Sequence, residues 1–325
     1  MDKIELLQAT IARRPTPHMP IALWRHWPIE DQSAEALAGA TLAFQREFDF
    51  DFIKVTPSQT FVAEDLGLSG VYDGNPEGDL VKGPPPIRSL EQWEALQPLS
   101  PTTGALARQL RCLDLIAAGA GATPFIQTIF NPLTVARCLA GPQATIWRRR
   151  HPEVFQRGFA TIIETWSNFV AAVMRTGAAG IFFSTADASY QLMAEEEYRR
   201  WGRPSDLAVV EPSQAGWLNV LHVHGEELMF DLVADYPFQV LNWHDRKAGP
   251  SLREGAQRFA GAVAGGLAQW DTLLSGTPEQ VTREVHDAIA QTEGRGAIIA
   301  AGCVTPIPVP ATNMRAAIAA ARAPR

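Results

Sequence analysis

Short apolar runs alternate with longer stretches of helical period from one end of this 325-residue sequence to the other. PIALW (20–24), FDFIKVTP (50–57), FIQTIF (125–130), GIFFS (180–184), LNVLHVHG (218–225), FQVLNW (238–243), a run near 263–270 and AIIAAG (297–302) read as strands. Helical stretches follow most of them: 33–47, 151–176, one from Glu195, one from Glu226, 251–261, 278–291 with Val281, Val285 and Ile289 on one face, and one from about Thr312. Eight strand candidates in this alternation predict a single (β/α)8 TIM-like barrel over 1–325, preceded by an N-terminal helical extension. A dinucleotide-binding sheet is excluded, because no GxGxxG follows the first strand, and no GxxxxGK[ST] phosphate loop occurs.

Composition narrows the function classes. With 46% hydrophobic and 19% charged residues the chain is not disordered, and its length buries a large core without disulfides or a structural metal. A net charge of −7 gives no footprint for nucleic acid and little attraction to an anionic membrane. Cys112, Cys138 and Cys303 are widely spaced and odd in number, which suits a reducing compartment. MDKIELLQATIARR lacks the uninterrupted apolar stretch of a signal peptide, and no run approaches the length of a membrane span. The expectation is a soluble, cytoplasmic protein. The Gly/Pro-rich segment 69–101, a long loop after the second strand with a short helix near Leu90–Leu96, reads either as a surface excursion or as a lid or substrate wall.

The chemistry concentrates in LHVHG. His222 and His224 stand two apart in a strand, so both side chains point to one face, and Gly225 follows at once. On a barrel the C-terminal strand ends assemble the active site, and Cys303, closing AIIAAGC, supplies a third ligand type from another strand end. His, His and Cys are all zinc ligands, and three of them leave one position open. Half-buried polar packing for the histidines and an inert core thiol for Cys303 are the plainer alternatives.

Other positions carry weaker signals. Asp245, after His244 in NWHDR, could orient a ligand histidine or cap a helix. Ser184, Thr185 and Asp187 follow the GIFFS strand and could line the pocket, or serve turn chemistry. Arg25 could meet an anionic substrate group or form a structural ion pair, and Arg148–Arg150 reads as a solvated helix start. Trp24, Trp27 and Trp243 sit at strand ends, where they could wall a substrate or belong to the core.

Several segments together resemble the uroporphyrinogen decarboxylase superfamily, which includes the zinc-dependent methylcobamide:thiol methyltransferases. PIALWR (20–25) resembles the family's first strand ending in Arg, and FNPLTVA (130–136) its Gly-x-Pro-[Trp/Phe]-Thr turn, with Asn131 in place of the middle residue. SGTPEQVTREV (275–285) and IIAAGCVTPIPVPATNMRAAIAAA (298–321) resemble the methyltransferases' closing segments. The resemblance covers most of the chain and implies the barrel; function does not follow from fold.

Residue matching separates the branches. Ser58 falls where the decarboxylases place an Asp, Cys138 where they place a Tyr, and Cys303 where they place a late His; their second N-terminal Arg has no counterpart beside Arg25. A porphyrinogen with eight carboxylates needs such cations, so that activity is disfavoured. The methyltransferases hold zinc with His-x-Cys and a distant Cys; His222 and Cys303 match the outer pair, and His224 replaces the middle Cys.

The resemblance thus implies zinc at His222, His224 and Cys303, and a methyl group passing to an activated thiol, from a methylcobamide on a corrinoid partner protein. One thiolate and two imidazoles leave a zinc site at +1, which lowers the pKa of a bound thiol or water but weakens the thiolate as a nucleophile. Arg25, Asp187 and Asp245 are the catalytic candidates, and Ser58, Asn131, Ser184 and Trp243 the candidates for cofactor contact. A decarboxylase of uroporphyrinogen or a smaller polycarboxylate, and a non-catalytic corrinoid or tetrapyrrole binder, are the alternatives. The oligomeric state is left open.

Overall fold

A computed structural model describes residues 1–324. Seven parallel strands form one curled sheet in the order β1 (Ile53–Val55), β4 (Phe125–Phe130), β5 (Gly180–Thr185), β6 (Val220–Val223), β7 (Val240–Trp243), β8 (Ala262–Leu267) and β9 (Ala297–Ala301). β2 (Gly70–Val71) and β3 (Val81–Lys82) make a separate antiparallel hairpin. Helices return the chain between the parallel strands, so both faces of each strand are covered and the strands are apolar along almost their whole length.

The PIALW segment closes the barrel without forming the full strand its composition predicts. Ala22 N donates to Ile299 O and Ile299 N to Pro20 O, which ties the segment to β9. On its other side Asp51 N donates to Ile21 O, but Ile21 N donates to the Asp51 carboxylate at 2.7 Å instead of to a ladder carbonyl. With Pro20 lacking an N–H, the eighth stave of the TIM-like barrel is reduced to a single bridge. The second strand is likewise shorter than 50–57, and the helix expected from Glu226 begins at Phe230.

Helix ends follow local sequence. Asp2, Ser251 and Thr277 each form a capping box with Glu5, Glu254 and Gln280. The N-terminal extension is the helix Lys3–Ile11, and the longest helix, Pro152–Met174, packs Phe155, Phe159, Trp166 and Phe169 inward. No described helix is long and apolar enough to cross a membrane.

The segment 69–101 is a wall. Asn75 folds the tip of the β2–β3 hairpin, accepting from Gly78 N and donating to Asp79 O, and Ile307 N donates to Pro76 O to pin it against the segment after β9. Gly78 adopts φ +84°, and a Cβ there would stand 2.8 Å from the His26 Cβ. Only glycine lets the tip lie this close, with Glu77 and Asp79 on the lining of the barrel's cavity.

Candidate functional site

His222, Ser184 and Asn242 occupy one rung of the barrel, as register partners on β6, β5 and β7. Asn242 Nδ2 donates to the carbonyls of Ala264 (2.9 Å) and Ala301 (3.1 Å), which leaves its Oδ1 as an acceptor. That oxygen lies 2.6 Å from His222 Nδ1, so the imidazole proton sits on Nδ1 and the Nε2 lone pair is free. Burial, reinforced by the neighbouring His224, His244 and Lys54, holds the His222 pKa well below the usual imidazole range. The ring is therefore neutral, the form that binds metals.

His224 follows on the same face and is exposed, while Cys303 stands two residues beyond β9 and His244 directly after β7. Their ligand atoms converge. His222 Nε2 is 3.5 Å and His244 Nε2 3.4 Å from His224 Nδ1, and Cys303 Sγ is 3.7 Å from both His222 Nε2 and His224 Nδ1. All four atoms lie within 4.8 Å of one another. Tetrahedral zinc with ordinary bond lengths would separate two nitrogens by roughly 3.3 Å and a nitrogen from a sulfur by roughly 3.6 Å. These four separations lie close to those values, and the two from His244 to His222 and Cys303 lie within 4.8 Å. Gly302 makes this possible, because a Cβ there would meet the His244 Cα at 2.8 Å.

Beside the group lies a cavity of about 200 Å³ whose walls include Trp24, Phe182, Ser184 and Lys54. Lys54, on β1, is buried; its Nζ contacts Thr56 Oγ1 at 3.2 Å and lies 4.5 Å from the Phe182 ring centre. Burial pushes its pKa down to about 7, opposed by the Cys303 thiol. Across the cavity Asp79 pairs with His26 at 3.2 Å; burial pushes His26 down to about 4 despite that carboxylate. Burial raises the Glu77 pKa, and Glu77 and Asp79 both act electrostatically on His224.

The structure brings His222, His224 and Cys303 together and adds His244 as a fourth potential ligand. Ser184 lines the cavity, and so does Trp24. The other candidate residues lie away from this group. Asp245 touches no histidine: it is buried, accepts from Gly266 N, and is pushed up to about 6 by burial. Asn242, a neutral amide, does the orienting that a carboxylate was expected to do. Arg25 turns away from the cavity, stacking on Trp27 at 4.0 Å and donating to Ile307 O.

Ser58 caps a short 3-10 turn through Thr60 N and is absent from the cavity lining. Asn131 and Asp187 lie behind that wall. Asp187 accepts from Asn131 and Thr134 and pairs with Arg137. Trp243 faces outward, fully buried against Gly255 and Phe230, with its indole N–H on Pro250 O. Sequence reasoning missed His244 as a potential ligand, and Lys54, Glu77 and Asp79 as cavity residues. His244 had a usable signal, since it occupies a strand end next to the one bearing His224.

A solved methyltransferase from Methanosarcina mazei superposes on 98% of this chain and 97% of its own with a TM-score of 0.83 at 19% identity. A B12-independent methionine synthase from Shewanella sp. W3-18-1 matches with a TM-score of 0.61 at 12% identity, covering 95% of this chain and 93% of its own. A putative vitamin-B12 independent methionine synthase from Listeria monocytogenes matches at 0.58 and 11% identity over 95% of this chain and 96% of its own. At such identities the likeness is one of fold. No curated protein matches the sequence. Residues 12–324 match the uroporphyrinogen decarboxylase (URO-D) family, and the chain belongs to that family.

Proposed function

We propose that this protein is a zinc-dependent methyltransferase that methylates a small thiol held at the His222–His224–His244–Cys303 group. The observation that carries the reading is the convergence of three imidazole nitrogens and one thiol at the spacing of a tetrahedral ion. A zinc ion in that set would supply the Lewis acidity that converts a bound thiol to its nucleophilic thiolate near neutral pH.

The chain's own residues do the rest. Asn242 fixes the His222 tautomer and ring orientation. Trp24 and Phe182 supply the apolar part of a mixed cavity wall and would limit water on that side of the reacting sulfur. His222, His224, His244 and Cys303 would hold the ion, and the substrate thiol would be received beside them in the cavity. His244 heads a turn while His222 lies within a strand, so His244 is the less rigidly placed of the two.

The cavity on the His222 side, about 200 Å³, is too small for a tetrapyrrole, and the shallower pocket of about 400 Å³ that shares Glu77 and His224 with it lies on the His244 side. That speaks against porphyrinogen decarboxylation, as does the withdrawal of Arg25. It also means that a methylcobamide donor would present its methyl group from outside, at the mouth where His224 is exposed, carried by a corrinoid partner protein.

Metal analysis of the purified protein, paired with methyl transfer from methylcobalamin to small thiols, tests the reading. The expected result is about one zinc per chain, held more weakly in Cys303→Ser with the fold retained, and thiol methylation that follows zinc content. Protein that neither carries nor takes up zinc, or zinc-loaded protein that methylates no thiol, overturns it.

A further inference from the structure

The cavity beside the ligand group holds two ionisable side chains without a partner of opposite charge. Among the described residues Lys54 forms no ion pair, and its one hydrogen-bond partner is the neutral Thr56 hydroxyl, although an ammonium carries three donors. Among the described residues Glu77, from the hairpin tip, forms neither a hydrogen bond nor an ion pair, whereas nearby Asp79 is already taken by His26. Lys54 and Glu77 do not pair with each other.

Both line the cavity beside the ligand group, Lys54 from β1 and Glu77 from the hairpin tip, and each acts electrostatically on one of its histidines, Lys54 on His222 and Glu77 on His224. Lys54 and Glu77 can each carry full charge here only if a group of opposite charge meets them, since burial alone disfavours the charged form.

We propose that the thiol bound here is a small zwitterion, such as a thiol-bearing amino acid or cysteinyl dipeptide, whose carboxylate is received by Lys54 and whose ammonium is received by Glu77. This rests on the reading of the four-residue group as a thiol-binding metal site and adds what chooses the thiol. Lys54 selects for an acidic group. Glu77 selects against a second one and for an amine. The volume of about 200 Å³ suits a ligand of this size.

The test uses full-length protein loaded with cobalt(II), whose thiolate charge-transfer absorption reports sulfur binding without turnover. Four thiols are titrated: L-homocysteine, L-cysteinylglycine, 3-mercaptopropionate (acid only) and cysteamine (amine only). At least one zwitterion is expected to bind roughly 10-fold or more tightly than either half-molecule, the value of one charge-assisted contact. Lys54→Met should remove the advantage over cysteamine and Glu77→Gln the advantage over 3-mercaptopropionate, with Lys54→Arg restoring part of the former.

If 3-mercaptopropionate or cysteamine binds as tightly as both zwitterions, the inference is wrong and the thiol site stands. If cobalt binds but no thiol alters its spectrum, the proposed function itself fails. Should Lys54→Met not fold, the wild-type series and Glu77→Gln decide the matter.

Discussion

Asn242 Oδ1 lies 2.6 Å from His222 Nδ1, and both amide hydrogens of Asn242 are committed to the carbonyls of Ala264 and Ala301. One neutral side chain therefore reads the register of β7, β8 and β9 and sets the tautomer of a histidine on β6. The amide cannot flip without placing its NH2 against the protonated nitrogen and its oxygen against two carbonyls.

Asn242→Leu is expected to lower zinc affinity by about 10- to 100-fold, the usual scale for losing a partner behind a ligand histidine. Competition with a chromophoric chelator measures it. An affinity unchanged within twofold would show that His222 needs no orienting group.

Asp245→Asn should behave in the opposite way. Asp245 accepts from Gly266 N and touches no ligand, so the variant should melt earlier while binding zinc within a few-fold of wild type. Thermal melts and the same chelator competition separate the two effects.

Removing the metal is expected to lower the melting temperature. At free zinc 100 times the dissociation constant, binding adds about 2.7 kcal/mol to the folded state. In a chain of this size that is a shift of a few degrees. Calorimetry of zinc-loaded and chelator-treated protein should show it, and Cys303→Ser, left with three histidines, should show a smaller zinc-dependent shift than wild type.

Asp206 gives a pH signature independent of the metal. Burial pushes its carboxyl up to about 8, and the hydroxyls of Tyr198 (2.7 Å) and Tyr236 (3.2 Å) donate to it. Because the folded pKa is raised, the folded state keeps a proton that the unfolded chain loses near pH 4. The stability so gained is complete below that pH and is lost as pH rises through about 8. Asp206→Asn carries no such proton, so its stability should rise relative to wild type between pH 4 and 8, by at most about 1.4 kcal/mol per pH unit. Urea unfolding of both proteins at pH 5 and 8 checks the slope.

Gly78→Ala addresses the hairpin. The positive φ and the 2.8 Å approach to His26 force the tip away from the cavity. Limited proteolysis should cut the variant faster within 72–80 than wild type, while the melting temperature changes little, because the barrel core does not depend on this tip.

The alternation of apolar runs and helices made the barrel legible, because strands covered on both faces must be apolar along their length. His222 and His224 were legible for a related reason, since the period of a strand puts both on one face. Asn242 was hidden in FQVLNW, where an amide reads as a strand-end polar residue and nothing signals that it faces a histidine two strand positions below the next ligand. Lys54 was hidden because a lone lysine in FDFIKVTP looks like an edge residue facing water; only closure of the barrel buries it. Glu77 and Asp79 depend on how a nine-residue hairpin tip folds back, and a Gly/Pro-rich segment carries no periodicity that could tell.

The single bridge that completes the barrel has a consequence for biogenesis. Ile21 meets Ile299, Trp24 O accepts from Thr305 N, and Met19 N donates to Ala321 O, so the last stave is seated by residues from the opposite end of the chain. On the ribosome the apolar segment PIALW emerges long before the residues that cover it. Cys303 lies within the stretch that covers it. A nascent chain therefore cannot assemble the four-residue group before Cys303 has been made, and a metal ion met earlier would find only an incomplete set of side chains.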